Sequence, residues 1–208
     1  MLRLRALLAA AALPLTIAAP AALSAQALPA GLAQVQAHLR AVDTMTATFT
    51  QSGQRGRTLN GTLAIRRPGH VRFDYGGSAN MLIVGDGNAL TFIDYDVGQR
   101  KRWPINDSPL SVLLNPNADL ARVAHVVRND AQVLLIEAQD SHRREFGTIT
   151  IAFAKIATAP AGLMLEGWST RDAQNNTTVV HLAGQRFNVP VPDSAFRYRE
   201  PTRRGPRG

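Results

Sequence analysis

The chain has 208 residues, 45% hydrophobic and 18% charged, with no cysteine and a formal net charge of +8. Without cysteine there are no disulfides and no thiolate metal sites, so such a chain must hold itself together by its core alone. The charge makes no case for a nucleic-acid partner. Arg3 and Arg5 sit in an N-terminal segment read below as removed, residues 197–208 hold five arginines against Glu200, and setting both aside leaves +2 for the body.

Residues 1–27 join a short basic start, an apolar run interrupted by Pro14 and Pro20, and small residues ending in Ala25-Gln26-Ala27. That is the three-part pattern of a secretory signal peptide with an A-x-A cleavage site. A membrane anchor is the competing reading, but the prolines and the short run favour removal. No later stretch approaches the roughly 20 apolar residues that span a bilayer. The expectation is therefore an exported, soluble protein with one domain over residues 28–200 and a disordered basic tail over 201–208. A bacterial lipoprotein needs a cysteine directly after its signal, so this chain is not expected to carry its own lipid there.

In "GLAQVQAHLRAV", residues 31–42, Leu32, Val35, Leu39 and Val42 fall on one stripe of a helix of about three turns. The period then switches to two. "TMTATFTQ", "NGTLAIRR", "HVRFDYG", "MLIVGDGNALTFIDYD" and "QRKRWPI" read as strands separated by turn residues. In "HVRFDY", Val71, Phe73 and Tyr75 share one face while His70, Arg72 and Asp74 share the other, the mark of a strand with one apolar and one wetted side. Asp86-Gly87 supplies the turn of a β-hairpin over 81–96. No helix follows that Gly-x-Gly, which removes a phosphate-loop reading.

The alternation breaks at "NDSPLSVLLNPNADLARVAHVVRND". Ser108 is the expected N-cap, Pro109 the first helical residue, and Asn115-Pro116 the stop. A helix of one or two turns carrying Leu110, Val112, Leu113 and Leu114 has no polar face, so it must sit between apolar surfaces or plug one. Strands resume at "AQVLLIEAQ", "FGTITIAFAKI", "GLMLEGWSTRD" and "NTTVVHLAGQRF". Nine or more antiparallel strands around one short helical interruption give a mainly β (α+β) chain with no repeat and no internal domain boundary.

Catalytic and metal chemistry finds little support. His38, His70, His125, His142 and His181 lie on different elements at no metal-ligand spacing, and no G-x-S-x-G marks a nucleophile elbow. Asp94 and Asp96 flank Tyr95 as a solvated strand face rather than an acid/base pair. The expectation is no cofactor, no metal and no enzyme. A one-sided apolar sheet plus a separate apolar helix are the parts of a lidded pocket for something hydrophobic.

Several segments resemble one family, the periplasmic outer-membrane lipoprotein carriers (LolA-like), in order and spacing. They are the amphipathic helix, "FTQ" (Phe49 to Gln51), "GTLAIRRPGHVRFDY", "MLIVGDGNALTFIDYDVGQ" and "SPLSVLL", together spanning residues 31–114. The resemblance implies an incomplete antiparallel β-barrel whose apolar concave cavity is covered by a helical lid. It implies a monomeric periplasmic carrier of acylated lipoproteins, which takes cargo from an inner-membrane ATP-driven extraction complex to an outer-membrane receptor. The receptor relatives are themselves lipoproteins, so the missing cysteine points to the carrier. The arginine before the proline, Arg67, is implied to latch the lid, with Arg66 on the opposite face. Leu110, Leu113 and Leu114 are the implied lid residues. Phe49, Leu63, Ile65, Val71, Phe73, Leu82, Val84 and Leu90 are the implied acyl-chain wall, although a phase error of one residue would exchange any of them for its neighbour. Beside the carrier stand two other expectations, a lipid- or glycolipid-binding sensor on the same half-barrel and a lipid hydrolase. The chain ends soon after its last strand, where some relatives continue with a segment packed on the barrel, and its arginine-rich end is a weak attractor for anionic membrane surfaces.

Overall fold

The computed structural model describes residues 27–53, 56–77, 79–139 and 147–202. Residues 1–26 of the expected signal peptide over 1–27, and 203–208 of the expected tail over 201–208, lie outside the described residues. Among the described residues no helix is long and apolar enough to cross a membrane.

Helix α1, Ala30–Ala41, is followed by six strands: β1 Thr44–Gly53, β2 Thr58–Arg66, β3 His70–Asp74, β4 Met81–Asp86, β5 Ala89–Asp94 and β6 Gln99–Pro104. A 3-10 turn over Ile105–Asp107 leads to two single-turn helices, α2 Ser111–Leu114 and α3 Leu120–Val123. Five strands complete the sheet: β7 Ala124–Asn129, β8 Val133–Ala138, β9 Thr148–Lys155, β10 Leu163–Arg171 and β11 Thr177–Phe187. They form one open antiparallel sheet in the order β6-β5-β4-β3-β2-β1-β11-β10-β9-β8-β7. Two meanders are thus joined at one seam, β1 against β11, and the chain crosses from one free edge to the other through α2 and α3.

The inner face carries one continuous apolar cluster. Ile149, Ile151 and Phe153 on β9, Leu134 and Ile136 on β8, and Leu163 and Leu165 on β10 are all essentially inaccessible to water. Leu32, Val35 and Leu39 of α1 and Val112, Leu113 and Leu114 of α2 belong to the same cluster. The helical stripe read from the sequence is the buried one, with Val42 just past the helix end. Both α1 and α2 therefore cover this face, whereas the sequence offers only α2 as a cover.

A second, smaller cluster forms on the outer face. Leu82, Val84 and Ile93 pack there against Phe196, carried by a 3-10 turn over Asp193–Phe196. The segment after β11 is thus a strap across the outside of β3, β4 and β5. It is held by Tyr95 Oη donating to the Arg199 carbonyl at 3.0 Å, by Arg72 Nη1 donating to the Ala195 and Arg197 carbonyls, and by an Arg100–Glu200 ion pair. Residues 197–200 are consequently packed against the outside of the sheet.

Two local readings are corrected. α2 begins at Ser111 rather than at Pro109, because the Ser108 hydroxyl accepts from Leu110 N–H at 3.3 Å in the turn before it. Strand β7 occupies part of what the sequence pattern presents as helical interruption. Its outward residues are solvated and Val127 is exposed, which leaves little apolar alternation to read. Edge strand β6 carries Arg100, Lys101 and Arg102, and β7 carries Arg128 beside a bulge, both of which discourage sheet-to-sheet pairing.

His38 of α1 is buried, with Nδ1 donating to the Pro160 carbonyl at 3.0 Å and its ring edge-on to Phe153 and Phe187. Burial, reinforced by the nearby Arg67 charge, lowers its pKa, while the hydrogen bond opposes the shift. The folded state therefore binds this proton less readily than the unfolded chain. Stability from this group is full above about pH 6.5 and falls as pH drops below it toward the folded-state value. We expect the resistance of the parent to chemical denaturation to fall between pH 7.5 and 5.5 by more than that of His38→Gln, which has no such proton to exclude.

Candidate functional site: the inner wall and its buried arginine

Arg67 is the residue around which the inner face is organised. Strand alternation sends its neighbours to opposite sides. Arg66 faces outward, paired with Asp193 and stacked 4.9 Å from the Phe196 ring, on the strap. Arg67 faces inward and is only 8% exposed. Its Nε donates to the Leu113 carbonyl of α2 at 2.9 Å, and its Nη1 donates to the Val42 carbonyl at the α1–β1 junction at 2.7 Å. Its own backbone N–H donates to the Asp43 carbonyl at 2.8 Å. One guanidinium thus ties the turn after β2 to both covering helices.

Burial lowers the Arg67 pKa to about 10, with Asp43 opposing the shift, so the group remains a cation at neutral pH. A charge in that position gains from two carbonyl dipoles and loses hydration. The two effects oppose each other, so the closed state rests on a modest difference rather than on a large gain.

Two further contacts hold the segment around α2, and the sequence motifs name neither. Gly69 N–H donates to the Leu114 carbonyl at 3.0 Å, and the Gln36 amide of α1 donates to the Pro116 carbonyl. Buried Gln36 interrupts the apolar stripe of α1 and is the one sequence signal that points to the second of these. Gly69 has φ of +73°, and a Cβ there would lie 2.7 Å from Gly87 Cα and 2.8 Å from the Gly87 carbonyl oxygen. Gly69→Ala should cost at least about 1–2 kcal/mol of backbone strain. It should also loosen α2, read as faster hydrogen exchange at the Leu113 to Asn115 amides together with a lower denaturation midpoint.

The wall beneath α2 is built by register. Leu63 pairs with Phe73 and Ile65 with Val71 across β2 and β3, and Phe49 lies opposite Gly61 across β1 and β2. A Cβ on Gly61 would come within 2.7 Å of the Phe49 ring, so the glycine makes the seat in which that ring lies. Phe49 meets Phe73 and Tyr75 edge-on at centroid distances of 5.5 and 5.1 Å, and Phe73 meets Trp168 at 6.0 Å. Tyr75 keeps its polar end satisfied by donating to Gln51 Oε1 at 2.8 Å, and burial raises its pKa to about 12. A cavity of about 350 Å³ lies at α2 and α3, on the side of β8 and the start of β9, bordered by Ser108, Val112, Asp119, Arg122 and Ala138 among others.

The structure places Phe49, Leu63, Ile65, Val71, Phe73 and Leu90 in the inner cluster with Leu113 and Leu114, and Leu110 half-buried against it. Leu82 and Val84 are not there. They pair with Asp74 and Arg72, which face outward, and they pack under the strap. The inward residues of β4 are Met81 and Ile83, with Ile83 opposite Phe73. "MLIV" is apolar at every position and so carries no phase, which allows the exchange of faces. Among the described residues no group of three or more His, Asp or Glu side chains is placed to hold a metal ion.

Fold and site define a class: an open antiparallel half-barrel with an apolar inner face under short helices, pinned by a buried cation. Residues 40–199 match the family described as outer membrane lipoprotein carrier protein LolA, and the chain belongs to that family. An outer-membrane lipoprotein carrier protein of Cupriavidus taiwanensis is 30% identical over 86% of this chain and 89% of its own length. One from Chromobacterium violaceum is also 30% identical, over 94% of this chain and 93% of its own. Among solved structures, an uncharacterized conserved protein of Thermus thermophilus covers 83% of this chain and 96% of its own with a TM-score of 0.51 at 10% identity, a likeness of fold.

Proposed function

We propose that this protein is a periplasmic carrier of acylated proteins, which holds their acyl chains against the inner wall and takes them from an inner-membrane ATP-driven extraction complex to an outer-membrane receptor. It acts by binding and release, as a monomer, without cofactor or catalysis. The observation that carries this reading is the Arg67 contact to the Leu113 carbonyl over an otherwise apolar face. A face that served only as core would have no use for a buried cation joining it to a single-turn helix.

The energetics suit transfer rather than storage. Each buried CH₂ is worth about 0.8 kcal/mol against water, so several acyl chains transferred from water would exceed the tightest non-covalent affinities of roughly 18–21 kcal/mol. Moving them from one apolar site to another cancels most of that term. What remains is of the order of the charged hydrogen bond at Arg67, about 1.5–3 kcal/mol, which is a reversible amount.

Depletion of the protein in its own cell tests the reading. Lipoproteins bound for the outer membrane should accumulate at the inner membrane, and the protein recovered from periplasm should carry acylated polypeptide. Normal sorting after depletion, with only free phospholipid or glycolipid recovered on the protein, would refute it in favour of a lipid-binding sensor.

A further inference from the structure

A guanidinium presents Nε–H and one Nη2–H side by side along one edge, a fork suited to one oxygen shared between them or to two adjacent oxygens. In the closed protein this edge meets α2. Nε is used by the Leu113 carbonyl, whereas Nη2 is buried and has no hydrogen-bond partner among the described residues. The other edge is committed to Val42. Half of the fork that faces the covering helix is therefore unsatisfied in a residue more than nine-tenths buried.

What α2 brings to that fork is a carbonyl with aliphatic groups beside it. The Leu113 carbonyl sits on Nε while the side chains of Leu113 and Leu114 enter the cluster formed by Leu63, Ile65 and Val71. A carbonyl joined to a saturated chain is also the chemical description of a fatty acyl ester or amide. We infer that α2 occupies the wall as a surrogate ligand, and that on loading a fatty acyl carbonyl replaces the Leu113 carbonyl on the Nε–Nη2 fork of Arg67.

This rests on the carrier reading and adds a polar point of recognition to it. An apolar wall alone is indifferent to the headward end of a chain and would take alkyl and acyl groups equally. A buried cation that loses its lid partner on opening leaves two aligned donors facing the vacated space. A donor left unpaired inside is more costly than one that was never buried, so a ligand supplying an oxygen is favoured over one that cannot. Lid and ligand then compete for the same donors and the same apolar surface, which makes binding and opening one exchange.

Three soluble fluorescent probes of equal chain length test the assignment on the full mature chain. They are a lipopeptide with two ester-linked chains on a glyceryl-cysteine head, the same lipopeptide with ether-linked chains, and a short-chain diacyl glycerophospholipid. The parent should bind the ester lipopeptide roughly ten- to a hundredfold more tightly than the ether, the range of a charged hydrogen bond. Arg67→Leu should bring that ratio toward one, and Arg67→Lys, which keeps the charge without the fork, should lower it. A ¹³C-labelled ester carbonyl should show its infrared band shifted to lower frequency in the parent complex and unshifted in Arg67→Leu.

Equal ester and ether affinities in the parent would overturn the carbonyl assignment while leaving the carrier reading intact. Retention of the full preference in Arg67→Lys would overturn the fork. Binding of the phospholipid, with its ¹³C-labelled ester band shifted in the parent and unshifted in Arg67→Leu, and no binding of either lipopeptide would support the carbonyl assignment and overturn the carrier reading. Failure of all three probes to bind the parent would overturn both. The ester-to-ether ratio in the parent and its infrared signature need no variant, so the test survives a poorly folding substitution.

Discussion

Replacing Arg67 with leucine should free α2 from the inner face while leaving the barrel folded. The substitution removes the Nε contact to Leu113 and the Nη1 contact to Val42, and with them the tie between the two covering helices. Charged hydrogen bonds contribute about 1.5–3 kcal/mol, so the fraction of molecules with α2 displaced should rise roughly ten- to a hundredfold. Global stability is expected to move less. The variant loses two hydrogen bonds, but it also replaces a buried cation, whose dehydration burdens the folded state, with an apolar side chain in an apolar cluster. Hydrogen exchange at the Val112 to Asn115 amides should accelerate by that factor, with the unfolding midpoint close to the parent. On the proposed reading, a variant with α2 displaced in this way should load or release acylated cargo differently from the parent. Unchanged exchange and unchanged transfer would remove Arg67 from the gating role.

Phe153→Ala should show the opposite pattern, a large loss of global stability with no selective effect on α2. Phe153 is 1% exposed on β9, lies opposite Leu134 and Leu165 on the flanking strands, and touches His38 of α1 at a ring separation of 5.3 Å. Truncating a fully enclosed phenylalanine costs about 3–5 kcal/mol, because transfer and cavity terms add. For a domain of this size that is a drop of roughly 6–20 °C in Tm. Thermal unfolding followed by circular dichroism would measure it. A change under about 1 kcal/mol would mean that β8, β9 and β10 collapse around the gap far more readily than their packing allows.

The contrast between these substitutions also explains which parts of the molecule are legible in the residue order. Period-two segments with one polar side, such as "HVRFDY" and "TITIAF", define their own faces, and the structure buries Val71, Phe73, Ile149 and Ile151 accordingly. "MLIV" cannot do so, because it is apolar on both sides, and it has apolar partners on both sides once the strap is in place. The strap itself is hidden by composition. Its arginines read as a solvated tail, while Val191, Phe196 and Tyr198 are the signs that the segment has something to bury. The bond from Gly69 to the α2 region cannot be read, since a backbone carbonyl accepts without leaving a mark in the residue order, and Gln36 marks only the donor of its bond, not the acceptor. Arg67 is singled out through the family likeness, because an arginine before Pro-Gly looks the same whether it faces water or the core.

The turn that bears Arg67 is gripped from outside as well as from within. Arg66 is paired with Asp193 and stacked on Phe196, and His70 packs edge-on to the same ring at 5.3 Å. None of these outer contacts involves α2, so on the proposed reading its departure would leave the backbone that aims the guanidinium in position. On the proposed reading the latch is preorganised: re-closure would restrict the freedom of one short helix, not of helix and catch together, because the conformational entropy of the catch is settled when the chain folds. A cycle that opens and shuts repeatedly needs one partner that does not wander, and in this protein the far side of the sheet supplies it.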